Sequence, residues 1–333
     1  MMNWQMKIIS RIRNNLFAQL TAIPVCGLLA VTAWAQPYPA KPVRIILPQP
    51  AGQGPSDVST RLIAQSVSAN LGQPMVIENR PGAAGVIGLE ACARAAPDGY
   101  TACVTSANIM LLTPHMVPNL PYDPQRSFLP VINIGAFSSA LVARPGLAAS
   151  NVREVFDLAR ARPGALTLGT FGVTHLYVSW LKKEKNVSLY DVPYKTAAQT
   201  LAGAVSGDLD LAMFSVGGVV PLAKSGKVRT LAVTGDHRSP YLPGVPTFRE
   251  AGIELEIPNW FGVFAPAGTP AEAVLRLNTE INRVLAEPKI RDLLLERAGL
   301  DAVGGNTAQL ATLVARDREL FSTLVKTAGI KIE

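Results

Sequence analysis

The chain has 333 residues, with 31 lysines and arginines against 24 aspartates and glutamates, for a formal net charge of +7. That length suggests about two domains, and 48% apolar with 17% charged residues is a globular composition rather than a disordered one. The excess cations are spread thinly, and no basic strip with interleaved aromatic residues occurs, which argues against a nucleic-acid partner.

The N-terminus reads as an export signal. Lys7, Arg11 and Arg13 form a basic n-region, no acidic residue precedes Ala35, and Leu16 to Val31 is mostly apolar. The stretch ends on Ala33-Trp34-Ala35, the small-x-small pattern of a signal-peptidase site, so residues 1–35 are expected to be removed and Gln36 to begin the mature chain. A membrane anchor would need about 20 predominantly apolar residues. Cys26 follows Val25, where a lipoprotein signal carries a small residue. The expected product is a soluble periplasmic protein. Of its remaining cysteines, Cys92 falls in a predicted helix and Cys103 in the next strand. Export permits a disulfide between them, and free buried thiols fit the sequence equally well.

Short β-branched apolar runs then alternate with helical patterns. Val43–Leu47, Met75–Ile77 and Tyr100–Val104 read as strands, and Val58–Leu71 and Val86–Ala95 as the helices between them. Val58, Leu62, Ile63 and Val67 share one helix face. Further on, Val152–Arg160 and Ala197–Val205 read as helices, and Leu166–Gly169, Leu209–Phe214 and Val228–Val233 as strands. Two helices close the chain: Ala271–Leu285, with Val274, Leu277, Ile281 and Leu285 on one stripe, and Thr307–Thr327. The alternation describes βαβ units around mainly parallel sheets.

Catalytic and metal motifs are missing from the sequence. Gly52-Gln53-Gly54 opens like a dinucleotide fingerprint, but Asp57 stands where the third glycine belongs and would repel a pyrophosphate. Gly226-Lys227 lacks the Ser/Thr of a phosphate loop. His115, His175 and His237 are scattered, with no second ligand at metal spacing. No catalytic residue, metal or cofactor is therefore expected. What stands out is a set of loops rich in Gly, Ser, Thr and Asn at the carboxyl ends of strands, where parallel α/β sheets bind ligands. They are Pro48–Asp57, Thr105–Asn108, Gly169–His175 and Ser215–Gly218. Each opens toward a helix start whose free N–H groups suit a carboxylate. Gly52, Gly54, Ser56, Asp57, Ser106, Asn108, Thr170, Phe171, Gly172, Thr174, His175 and Ser215 are the candidate ligand-binding residues. Asp57 either caps its helix or touches the ligand. Trp180 and Trp260 read as core residues, and Lys182-Lys183-Glu184-Lys185 as a solvated helix face.

Several strings then carry a resemblance. They are Tyr38-Pro39-Ala40-Lys41-Pro42-Val43-Arg44, Leu71-Gly72-Gln73-Pro74-Met75-Val76-Ile77-Glu78-Asn79-Arg80-Pro81-Gly82 and Ala96-Pro97-Asp98-Gly99-Tyr100-Thr101. Leu120-Pro121-Tyr122-Asp123-Pro124, Val192-Pro193-Tyr194-Lys195 and the run from Trp260 to Pro270 complete the set. Their order and spacing resemble the Bug-type substrate-binding proteins of tripartite tricarboxylate transporters, over essentially the whole mature length. The resemblance implies a type II-like periplasmic-binding-protein fold, a Venus flytrap of two α/β lobes joined by two crossover strands. It further implies a small organic acid in the cleft, held by backbone amides and ordered water. The expected partners are the large and small membrane subunits of a transporter, and the receptor is expected to be a monomer. Residues 36–138 and 260–333 are assigned to lobe 1 and residues 139–259 to lobe 2, with strands around Ala136–Ala143 and Asn259–Ala265 crossing between them.

Departures from the family pattern concentrate on the cleft. Gln53 intrudes between the glycines of the first loop, and the third loop is about two residues shorter, with Phe171 in a usually small, polar place. Ser215 replaces an Asp, and Thr196 a Gly. Losing a carboxylate and gaining a ring favours aromatic or unsaturated carboxylic acids over amino acids, unless Phe171 turns inward to fill the shortened loop. A periplasmic sensing receptor and a periplasmic enzyme are the other function classes considered.

Overall fold

The computed structural model describes residues 38–328, except 53, 172–173, 195, 236 and 256–257. The signal read over residues 1–35 and Gly172 lie outside the described residues. From β1 (Val43–Leu47) the chain runs through α1 (Gly54–Leu71) to β2 (Met75–Asn79), and through α2 (Val86–Ala93) to β3 (Thr101–Ser106). A π-helical turn at Asn108–Leu112 leads on to β4 (Phe128–Phe137), followed at once by β5 (Ser139–Ala143). Next come α3 (Val152–Ala161), β6 (Thr167–Phe171), α4 (Thr174–Glu184), β7 (Tyr190–Tyr194) and α5 (Ala197–Ser206). β8 (Leu211–Ser215), α6 (Val216–Lys224) and β9 (Arg229–Val233) complete that region. The chain returns through β10 (Trp260–Pro266) to α7 (Ala271–Leu285), α8 (Pro288–Ala298), β11 (Leu300–Asp301) and α9 (Thr307–Ala328).

These elements form two sheets, one ordered β11-β4-β10-β3-β1-β2 and the other β7-β6-β8-β5-β9. The chain leaves the first sheet after Phe137 and enters the second at Ser139; it re-enters the first at Trp260. Both sheets are mixed rather than mainly parallel. β1 pairs in parallel with β2 and β3, and β6 with β7 and β8, as βαβ units require. The strands that carry the chain between sheets break this pattern. β10 returns against the direction of β4, and so lies antiparallel to both β4 and β3. β5 enters against β8 and β9. Apolar content alone does not reveal that reversal.

Local chemistry sets the helix ends. Asn151 caps α3 by accepting from Glu154 N–H at 3.0 Å, and Glu154 reaches back to Ser150 N–H. Thr196 caps α5 through Gln199 N–H. Gly299 ends α8 at a φ of 65°, a left-handed conformation suited to glycine. One face of the first sheet packs on α1, α7 and α8, with the stripe Val274, Leu277, Ile281 and Leu285 buried there. The other face packs on α2 and α9. The second sheet has its own core on each face, with α3 and α4 on one side and α6 on the other.

Candidate functional site

Strand direction places the loops. β4 ends at the crossover, and β3, antiparallel to β10 like β4, runs the same way, so Ser106 ends its strand level with Phe261. β1 is parallel to β3 and ends there too. In the second sheet β5 starts at the crossover with Ser139 opposite Ser215, the last residue of β8. β6 is parallel to β8, so Phe171 also ends on that side. All four predicted loops thus open at the strand ends nearest the crossover. That crossover is a polar knot: Thr234 N–H donates to Ser139 O, Ser139 N–H to Thr234 Oγ1, and Asn259 Nδ2 to Ser139 Oγ.

The first loop is held from within. Asp57, in the first turn of α1, is 1% exposed. Its carboxylate accepts from Gly52 N–H at 3.0 Å, from Arg61 Nε and Nη2 at 2.8 and 3.0 Å, and from Asn79 Nδ2 at 2.9 Å. Asn79 also donates to Gln49 O, and Arg61 to Asn79 Oδ1. Burial alone would raise the Asp57 pKa, but the Arg61, Asn79 and Gly52 hydrogen bonds outweigh it and hold the carboxyl below its ordinary 3.8. Gly52 has a φ of +67°, which turns its N–H toward Asp57 at no side-chain cost. Asp57 is therefore committed to the loop's own shape. Gly54 begins α1, and the buried Ser56 accepts Thr60 Oγ1 at its carbonyl.

After β3, Ser106 Oγ accepts from Ile109 N–H at 3.3 Å and turns the chain. Beneath it Thr105 is fully buried, and among the described residues its hydroxyl has no partner. Thr170, at the end of β6, is 1% exposed with its hydroxyl in the same state. Thr174 closes the next turn: its Oγ1 accepts from Phe171 N–H at 2.8 Å and donates to Phe171 O at 2.6 Å. His175 is drawn aside, its Nδ1 3.7 Å from Asp191 Oδ2 on the edge strand β7. Lys182 joins the same carboxylate at 3.5 Å. That residue is therefore half-buried and paired, unlike the solvated face expected for it.

Phe171 does not stand alone. Its ring lies 6.3 Å from that of Phe214, tilted by 52°. Both are half-buried at the ends of neighbouring strands. Phe214 rests on α6 at Gly218, where a Cβ would come within 2.2 Å of the ring. The sequence reading missed Phe214, although its place one residue before Ser215 was the available signal. Ser215 precedes α6 without a side-chain cap bond.

The two sheets meet directly through α4. Tyr177 follows β6 of the second sheet, yet it is 1% exposed in the core of the first. Its ring lies 6.5 Å from Phe321 on α9, and its hydroxyl donates to Asn108 Oδ1 at 3.4 Å. Burial first, and then the Asp317 charge, push its pKa far above the ordinary 10.0. Asp317 is itself buried and accepts from Trp260 Nε1 at 2.8 Å and from Arg316 Nε at 2.8 Å. Trp260 is buried in the core, and Trp180 is half-buried against the cores of both sheets, its outer side lining a cavity of about 320 Å³ with Arg249, Glu254, Leu320 and Leu324. The sequence signals nothing about Tyr177, because its neighbours on α4 pack into the second sheet.

Among the described residues, no group of three or more His, Cys, Asp or Glu could hold a metal ion, and no helix is long and apolar enough to cross a membrane. The arrangement offers hydroxyls, amides and rings, which suit capture rather than bond making.

Known proteins agree with that chemistry. Residues 59–330 match the family described as "Tripartite tricarboxylate transporter family receptor". A protein from the tcbD-tcbE intergenic region of Pseudomonas sp. strain P51 is 33% identical over 293 residues, covering 86% of each chain. A Rhodopseudomonas palustris protein solved with adipate, Rpa4515, is 32% identical with a TM-score of 0.74, covering 89% of this chain and 100% of that one. MatC from the same organism, solved with bound malate, is 29% identical with a TM-score of 0.69, covering 86% of this chain and 100% of its own. BugD, solved as a periplasmic binding protein, is 30% identical with a TM-score of 0.70, covering 89% of this chain and 100% of its own. On its sequence match and its two mixed α/β sheets, this chain belongs to the tripartite tricarboxylate transporter receptor family.

Proposed function

We propose that the protein captures a small carboxylic acid between its two lobes in the periplasm and delivers it to the large and small membrane subunits of a tripartite-type transporter. The observation that carries this reading is the common opening of the four loops at the crossover, with Tyr177 on Asn108 joining the two sheets. Adipate and malate in the relatives support an acid as the ligand. The lobes proposed are residues 36–138 with 260–333, and 139–259. The receptor acts as a monomer after loss of residues 1–35.

The ligand we favour has an aromatic or unsaturated body. The Phe171–Phe214 pair supports this, because an aromatic contact adds about 0.5–1.5 kcal/mol beyond area burial. Ser215 offers no negative charge to an ammonium group, which disfavours amino acids. A thermal-shift screen of benzoate-type, muconate-type, dicarboxylic and amino-acid ligands tests the proposal, since a ligand bound only by the folded state raises its midpoint. A shift with acids supports it. Shifts with amino acids alone would overturn the ligand class.

A further inference from the structure

Asn108 opens the turn that follows β3, at one of the four loops nearest the crossover. Its backbone is held, since Thr113 N–H donates to Asn108 O and the neighbouring Ile109 N–H to Ser106 Oγ. The direction of its half-buried amide is then set by what each end meets. An asparagine side chain has an oxygen that accepts and a nitrogen that donates. The oxygen is taken: Tyr177, from α4 beside the other sheet, donates its hydroxyl to Asn108 Oδ1 at 3.4 Å. Tyr177 has little freedom to do otherwise. It is 1% exposed with its ring against Phe321, and both oxygens of the Asp317 carboxylate already accept, from Trp260 and from Arg316. Burial first, and then the Asp317 charge, keep the hydroxyl protonated as a donor. The other end of the amide is open. Among the described residues Asn108 Nδ2 has no partner, and it is not sealed from solvent.

We propose that Asn108 is a specificity-determining donor to the ligand's carboxylate, and that Tyr177 positions it from the opposite lobe by keeping its oxygen turned away. This rests on the proposed function and adds a reason for the choice of a carboxylate. An N–H donor meets an anion in a charge-assisted bond, whereas an ammonium group would face two N–H groups and no acceptor. Tyr177 is a positioning residue rather than a contact, because its ring and hydroxyl are buried in the first core. Tyr177 and Asn108 belong to different lobes, so the amide is fixed only while α4 sits against the first sheet. The donor is presented when the lobes are together and is free to rotate when they part.

Benzoate, muconate, adipate and malate, and the neutral amide of whichever binds best, are titrated by calorimetry into wild type, Asn108→Ala, Asn108→Asp, Tyr177→Phe and the Tyr177→Phe, Asn108→Ala double variant. Asn108→Ala should weaken the acid roughly ten- to a hundredfold and the amide far less. Asn108→Asp keeps an acceptor for Tyr177 but turns a negative charge toward the ligand, and should weaken the acid further. Tyr177→Phe keeps the ring against Phe321 and should melt close to wild type. It should nevertheless weaken the acid about three- to tenfold, and that loss should vanish once residue 108 is alanine. A loss of equal size in both backgrounds, unchanged acid affinity, or a melt far below wild type would overturn the positioning role. Acid binding by Asn108→Ala as tight as by wild type would overturn the whole inference and leave the proposed function standing. If wild type binds none of the four acids, the proposed ligand class fails and the inference falls with it.

Discussion

Replacing Asp57 with alanine removes the anchor of the first loop. The carboxylate it deletes is 2% exposed and serves Gly52, Arg61 and Asn79 at once. Breaking a fully buried ion pair costs about 3–5 kcal/mol. Here the Arg61 side chain is 47% exposed and rehydrates, and Asn79 keeps its bond to Gln49 O. The loss therefore falls on Gly52 N–H and on one side of Asn79, about 2–3 kcal/mol in all. That lowers the melting temperature of a body this size by about 4–10 °C. Asp57→Asn retains an acceptor and costs about 1 kcal/mol. The pH dependence has a definite sign. The folded carboxyl titrates below its ordinary 3.8, so its stabilisation is complete above that value and disappears as pH falls through the lower, folded one. Melts followed by circular dichroism from neutral to acid pH should show wild type and Asp57→Ala converging there. Titration with the best ligand at neutral pH gives the second readout. If Asp57→Ala melts within about 1 °C of wild type while binding vanishes, Asp57 is a ligand contact and the clamp is refuted.

Other perturbations test the rest of the site. Tyr177→Ala empties a buried aromatic position and should cost about 3–5 kcal/mol in urea unfolding; a cost under about 1 kcal/mol would mean that the two sheets do not share that core. Phe171→Ala should weaken aromatic acids more than aliphatic ones in calorimetry, whereas lower stability with unchanged affinities would mark the ring as filler. Gly218→Ala drives a methyl into the Phe214 ring and should cost about 1–3 kcal/mol, with the same selectivity loss as Phe171→Ala. Asp301 is raised above 3.8 by burial, against the opposing pull of Ser138 and Arg291, so its ionised form destabilises the fold at neutral pH. Asp301→Asn should therefore stabilise at pH 7, with a gain that shrinks as pH falls through the raised pKa toward 3.8; a gain independent of pH would exclude that cause.

Periodicity and turn chemistry made much of the fold legible. The stripe Val274, Leu277, Ile281 and Leu285 is a local pattern, and local patterns survive folding. Loop positions were legible for the same reason, since Gly and Ser cluster where strands stop. Strand direction was not, because β4, β5 and β10 are as apolar as any parallel strand, and only the route of the chain reverses them. The fate of Asp57 depends on Asn79, 22 residues away on a neighbouring strand, and no spacing rule pairs them. Tyr177 is the extreme case. On α4 it looks like one more aromatic core residue, and its burial in the other sheet is decided by how the lobes dock.

Calorimetric titration against a carboxylic acid and its neutral amide tests most directly whether the two sheets hold a carboxylate. The protein is first refolded from denaturant, to remove any ligand carried through purification. The acid giving the largest thermal shift should bind one to one. Hydrogen bonds to a charged group contribute about 1.5–3 kcal/mol, so the amide should bind roughly ten- to a hundredfold more weakly. Equal affinity for acid and amide, or no heat from folded protein with any carboxylate in the panel, would contradict the proposed function.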